Sequence, residues 1–349
     1  MIKTMDNTIL WDRVKKAENL QLGLLASGPD GSGASREMMC SIIEAILAPS
    51  VRQLMLLGGH NSNAFIDTPV IMVYDLESDK WSFSDARIPL HGGYSHWNKI
   101  FKVNDRLLLA AYNFSSMLIN VHACSPNSGN DRKIKHEFFI TPSRFGIHDF
   151  SSPVMLDNGQ VMMINASLSD ERRMHCILDL NRRKWIKKST SNLPGLDSCC
   201  VLMNDGRVLV VGGLNRWHGE FIADCFIYYP VSNRFVRTTS LGGARCGAAG
   251  CLLDDGRVFI CGGQLFDESC EIFNPATCTW SAGGSMLYPR RHHVCFHIAD
   301  DRIFIVGGID YENKRGPRSC EMYDIITQTS TRLADIPEER SFMTVAPLY

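Results

Sequence analysis

Long hydrophobic runs are missing from this sequence of 349 residues. No stretch of about 18 apolar residues occurs, so no segment is built to cross a bilayer as a helix. Charge of one sign is missing too: 36 Lys and Arg stand against 37 Asp and Glu, a net of −1. No global field draws the chain to nucleic acid or an anionic membrane, and neither is expected as a partner. The opening MIKTMDNTILWDRVKKAENL has no uninterrupted apolar core of signal-peptide length. No GxSxG occurs, which removes that nucleophile elbow. The stretch GPDGSGAS at 28–35 comes near a phosphate-binding loop, but Ala34 stands where that loop needs Lys, and the stretch reads as a flexible linker. The 13 cysteines are odd in number and never spaced as CxxC. Zinc needs paired ligands at short spacing, and a disulfide framework favours an even count. The cysteines are therefore read as reduced and buried, with Cys199, Cys251, Cys261 and Cys295 on strands. That places the chain in the cytoplasm or the nucleus. No metal or other cofactor is expected.

What the chain does have is a repeat. QLMLLGG ends at Gly59, and NDGRVLVVGG (204–213), DDGRVFICGG (254–263) and DRIFIVGG (301–308) follow the same pattern. NDRLLLAAY places Ala111-Tyr112 in the Gly-Gly slot, and NGQVMMINA places Asn165-Ala166 there. The six anchors, 59, 112, 166, 213, 263 and 308, are spaced by 53, 54, 47, 50 and 45 residues. A period of roughly 50 residues marks a repeat architecture.

Each unit has one grammar. A short apolar strand leads into an Asn/Asp/Gly turn, such as Asn204-Asp205-Gly206, whose residues tolerate the positive φ of tight hairpins. A second strand (VLVV, VFIC, IFIV) is apolar throughout, so both faces should be buried. The Gly pair ends it, where backbones crowd. A third strand ends in a polar turn, and an aromatic opens the fourth in four units: Trp81, Trp185, Phe235 and Trp280, with Ser330 in the last. Four short strands repeated six times predict an all-β propeller. The Gly-Gly, the aromatic-Asp and the later Trp resemble the kelch motif over roughly 51–349, most closely in units one, four, five and six. The resemblance implies a six-bladed kelch β-propeller.

The ring's seam is readable. RQLMLLGG has no hairpin turn before it, and the terminal RSFMTVAPLY looks like a first strand with its turn missing. Residues 341–348 should therefore pair with 53–57 and remove an exposed sheet edge. Residues 1–50 are read as a separate helical and linker segment, with helices over 8–20 and 35–50, and 51–349 as the propeller. Ser35 caps the second helix, its apolar residues recur at helical spacing, and Pro49 ends it. MMCSIIEAILAPSVRQLMLLGGHN is also similar to the junction in kelch-like ubiquitin-ligase adaptors, although fifty residues hold no BTB domain.

Propeller topology divides the loops between two faces. Turns between first and second strands carry seven aspartates on one face: Asp105, Asp157, Asp205, Asp254, Asp255, Asp300 and Asp301. On the other face, eighteen residues before the anchors, stand Tyr94, His148, Gly195, Arg245 and Arg290, with Arg340 before the closing strand and Arg144 and Arg291 nearby. Long loops after the Gly-Gly slots add Arg216, Trp217, Tyr311 and Arg315. Arginines and aromatics around one mouth suit an acidic, extended peptide. ARCGAAG and SRFGIHD resemble the Arg-x-Gly segments that line the substrate mouth of kelch-type adaptors. The partner-binding set is thus Arg144, His148, Arg245, Arg290, Arg291, Arg340, Arg216, Trp217, Tyr311 and Arg315.

No catalytic residue is assigned. His292-His293 is the one adjacent His pair, and no Tyr-His pair exists for the copper of galactose-oxidase-type propellers. The expected function is a protein-interaction scaffold that takes an acidic segment of a partner, as in the substrate-recognition arm of a ubiquitin ligase, with a monomer the favoured state. A cytoskeletal kelch protein and a propeller enzyme of sialate-mutarotase type remain the alternatives.

Overall fold

A computed structural model of the chain describes residues 51–348 except 62–65, 68–69, 88–94, 104–105, 114–117, 125–133, 141–152, 167–172, 191–194, 216–217, 265–267, 300 and 311–317. The two helices expected before residue 51 lie outside the described residues.

Arg52–Leu348 forms one compact unit of six four-stranded antiparallel sheets. From inner to outer strand, blade one runs Thr344–Leu348, Gln53–Leu57, Val70–Asp75 and Lys80–Arg87. Blade two holds Ser95–Val103, Arg106–Asn113, Leu118–Cys124 and Ile134–Ile140. Blade three holds Val154–Met155, Gln160–Ala166, Arg173–Asp179 and Lys184–Thr190. Blade four holds Cys199–Leu202, Val208–Val211, Cys225–Tyr229 and Arg234–Thr238. Blade five holds Ala249–Leu252, Val258–Cys261, Ser269–Asn274 and Thr279–Ser285. Blade six holds Val294–Ala299, Arg302–Val306, Cys320–Asp324 and Thr329–Leu333. The seam lies where the chain ends implied it, with Gln53 opposite Leu348 and Leu57 opposite Thr344.

The core is a series of interfaces between blades. Val201 and Leu209 of blade four cluster with Val258, Ile260 and Phe273 of blade five. Phe259, Cys261 and Ile272 of blade five cluster with Ile303, Ile305 and Tyr323 of blade six. Each second strand is thus sandwiched, which is why VLVV and VFIC carry no polar residue. The outer-strand tryptophans latch neighbouring blades. Trp280 Nε1 donates to the Thr239 carbonyl at 3.0 Å, and Trp81 Nε1 to the Ala334 carbonyl at 2.9 Å. Tyr74 stacks on Phe304 of blade six at 5.1 Å between ring centres.

The turns spend their acidic residues locally. Asp75, Asp179 and Asp324, the residues after the third-strand aromatic or Leu, accept from the backbone N–H three residues on, at 2.7–2.8 Å. That capping explains why an Asp recurs there. On the same face, in the turns between first and second strands, Asp205 accepts from the Arg207 backbone and pairs with its guanidinium, and Asp255 does the same with Arg257.

Candidate functional site

The Gly pairs bring blades together at the channel mouth. Gly213, at φ +114°, donates its N–H to the Arg245 carbonyl of the next blade at 2.7 Å. A Cβ on it would sit 2.7 Å from the Leu196 carbonyl oxygen, so only glycine fits. Gly263 and Gly308 repeat the bond to the carbonyls of Arg290 and Arg340.

The arginines whose backbones receive these bonds turn their side chains inward. Arg245, Arg290 and Arg340 are 2%, 1% and 0% exposed. Arg290 donates Nη1 to the carbonyls of Gly307 and Ser319, each at 2.9 Å, and Nη2 to Ser319 Oγ and Glu321 Oε1, each at 2.7 Å. Arg245 makes the equivalent set with Gly262, Ser269 and Glu271. Arg340 reaches the carbonyls of Gly58 and Val70, but its carboxylate partner is Glu338, two residues away at 3.3 Å. Burial with so little compensation lowers the Arg340 pKa.

The expectation that these three arginines face a partner is therefore corrected: each pins its inner strand to the second and third strands of its own blade. The physical reason lies in the third strand of each blade. Ser269-Cys270-Glu271 and Ser319-Cys320-Glu321 stand at one register in blades five and six, each serving a buried guanidinium. Blade one has Val70-Ile71-Met72 there, so Arg340 must find its acid elsewhere. Of the other expected residues, Arg291 is half-buried at the mouth and hydrogen-bonds Gln264. Arg144, His148, Arg216, Trp217, Tyr311 and Arg315 lie outside the described residues.

Two positions beyond each arginine slot, the backbone turns left-handed in four consecutive blades: Asp197, Gly247, His292 and Phe342, at φ +55°, +69°, +52° and +56°. This conformation aims each N–H back at the preceding blade. Gly247 donates to Asp197, His292 to Gly247 and Phe342 to His292, at 2.8–3.1 Å, so a belt of backbone bonds links blades four, five, six and one at the mouth. Gly247 has no side chain because the His292 ring occupies its place, 2.8 Å from where a Cβ would lie. His292 in turn stacks on Phe342 with ring centres 4.2 Å apart.

Inside the belt is a cavity of about 130 Å³, lined by Lys99, Asp197, Cys199, His292, Cys295 and Phe342 among others. Next to it His293 is buried and touches Cys261 Sγ through Nε2 at 3.2 Å. Burial, with the Arg290 charge beside it, holds His293 far below the usual histidine pKa, so it is neutral. Among the described residues no three of His, Cys, Asp and Glu are placed to share a metal ion. Lys99, Asp197 and Phe342 were not singled out from the sequence, and His292 was noted there only as half of an adjacent His pair. Their signal is weak: a left-handed position announces itself only where it is glycine, as at Gly247.

Comparison with known proteins agrees with this architecture. The Kelch motif matches residues 245–287 and 290–337, which are blades five and six. The chain is a β-propeller whose last two blades carry kelch motifs. An F-box/kelch-repeat protein of Arabidopsis thaliana is 32% identical over 42% of this chain and 40% of its own length. Kelch-like protein 35 of Mus musculus is 30% identical over 40% of this chain and 24% of its own. The chain thus spans well under half the length of these curated relatives. The solved structure of YjhT superposes with a TM-score of 0.58 over 82% of this chain and 95% of its own, at 12% identity, a likeness of fold alone.

Proposed function

We propose that this kelch propeller is a protein-binding module that recognises an acidic segment of a partner at the channel mouth, in the manner of the substrate-recognition arm of a ubiquitin ligase. The observation that carries the reading is the cavity inside the belt, where Lys99 and the His292–Phe342 stack line one concavity. Lysine offers a point charge to a carboxylate, and the stacked rings offer an apolar floor to the peptide beside it. Arg291, at the rim, and the loops that carry Arg144, Arg216 and Arg315 extend the basic character in sequence. The kelch motifs and the F-box/kelch-repeat and kelch-like relatives support binding over catalysis.

Capture of partners by the full chain, followed by binding measurements on the recovered protein, tests this. Lys99→Glu should weaken binding at least tenfold, roughly 1.4 kcal/mol, and added salt should weaken the wild type. Asp205→Lys, on the opposite face, should change little. Unchanged affinity in Lys99→Glu together with loss in Asp205→Lys would move the site to the other face.

A further inference from the structure

The cavity inside the belt holds a cation and an anion that do not neutralise one another. Lys99, on the inner strand of blade two, is half-buried and lines it. Among the described residues Lys99 has no hydrogen-bond or ion-pair partner. Asp197, two residues before the inner strand of blade four, lines the same cavity. The belt fixes its main chain, for its carbonyl accepts the Gly247 N–H at 3.1 Å. Other polar groups of the wall are engaged: Ser198 Oγ meets the carbonyls of Gly195 and Gly212 at 2.5 and 3.0 Å, and His293 meets Cys261. No arginine is among the described residues that line the cavity. Arg245 and Arg290 are held inside their own blades, and Arg291 bonds Gln264 at the rim. Cys199, Cys200 and Cys295 line the rest and are free; Cys251, predicted buried from the sequence, is free and partly exposed.

We propose that this cavity seats one aspartate or glutamate side chain of the partner, and that Asp197 is the specificity residue that turns away a phosphorylated side chain. The proposal rests on the reading of the mouth as an acidic-segment site and sets the substrate class of that site: a carboxylate, and no phosphoryl group.

Charge argues first. A carboxylate brings a single negative charge, and the unpartnered ammonium of Lys99 matches it. A phosphoserine brings about −1.5 to −2 at pH 7. With one lysine to meet it, the excess would face the Asp197 carboxylate across a small cavity, where water screens less than in bulk. Sites that hold phosphoryl groups use arginine, whose planar fork takes two oxygens at once, and this wall carries none. Size argues the same way. The cavity, at about 130 Å³, holds on the order of four waters. A carboxylate and the methylene that carries it fit that space, whereas a phosphoryl group with its ester oxygen and methylene is larger. The His292–Phe342 stack lies against the same space and receives the apolar part of the side chain.

Blocked alanine–X–alanine tripeptides, with X aspartate, asparagine or phosphoserine, are the probes. They are titrated into the full chain at about pH 8, where imidazole is ordinarily neutral, and followed by the His292 ring resonances in NMR spectra. The aspartate peptide should bind roughly tenfold tighter than either of the others. Asp197→Asn should fold, because asparagine tolerates the left-handed backbone at φ +55°. In that variant the aspartate peptide should keep its affinity, and its advantage over phosphoserine should fall to about twofold or less. Lys99→Gln should bring both acidic peptides down to the level of the asparagine peptide. A wild-type advantage over phosphoserine of about threefold or less, or one that Asp197→Asn leaves intact, would overturn the proposal and leave an acidic-segment site standing. The wild-type ratio decides the charge limit even if the variant is unstable. An aspartate peptide that binds no better than the asparagine peptide would overturn the proposal and the acidic-segment reading together.

Discussion

Replacing Arg290 by methionine measures what the buried arginine pins contribute. The substitution keeps most of the side-chain volume and removes the charge. It leaves Glu321, which is 0% exposed, without its cation, with the Leu287 N–H still donating to it at 2.7 Å. It also strips the bonds to the Gly307 and Ser319 carbonyls and to Ser319 Oγ. Removing one partner of a buried ion pair costs about 3–5 kcal/mol, because the surviving charge has no compensation. At about 2 °C per kcal/mol for a large domain, melting should fall by about 6–10 °C. Denaturant unfolding of the full chain should show the same loss in its midpoint. The double variant Arg290→Met with Glu321→Leu should recover most of the stability, since replacing both members by apolar groups is often neutral. The loss should be smaller in Arg340→Met, whose partner Glu338 has a side chain 39% exposed and stays hydrated when left alone. A loss below about 1 kcal/mol in Arg290→Met, the size of one ordinary hydrogen bond, would refute the pin. So would a double variant no better than the single.

Truncation after Met343 should remove the inner strand of blade one and expose the backbone edge of Gln53–Leu57; a melt that keeps the wild-type midpoint would contradict the seam. Gly247→Ala should cost about 1–2 kcal/mol, from its positive φ and from displacement of the His292 ring, and should shift the His292 ring resonances in NMR spectra. Hydrogen bonds from the Ser78 backbone, the Gln53 amide and the Ser78 hydroxyl lower the Asp75 carboxyl to about 2. Its folded pKa lies below its unfolded one, so its contribution is full above the ordinary carboxylate range and is lost as pH falls through about 2. Asp75→Asn should therefore flatten the acid limb of the stability profile between roughly pH 4 and pH 2, as read by denaturant titration.

The sequence by itself determined the repeat, the blade count and the seam. These follow from local chemistry, which a chain cannot hide. Second strands buried on both faces must be apolar throughout, as Val208–Val211 and Val258–Cys261 are. Tight turns must carry Asn, Asp or Gly, and a ring that closes on itself must leave half a hairpin at each end. The direction of a long side chain is a different matter. Arg245 and Arg290 look the same in the sequence whether they reach a ligand or fold back, and only the tertiary structure decided, by placing Glu271 and Glu321 two strands away in the same blade. A guanidinium turns toward the carboxylate that already lies within the fold, because that contact needs no further molecule to be ordered. The channel site was hidden for a related reason. Asp197, His292 and Phe342 come together only because inner strands from separate blades converge on one axis, and Lys99 joins them from a blade whose repeat is degenerate. Convergence of residues about 50 positions apart leaves no local pattern to read, so the belt and its cavity belong to the folded ring alone.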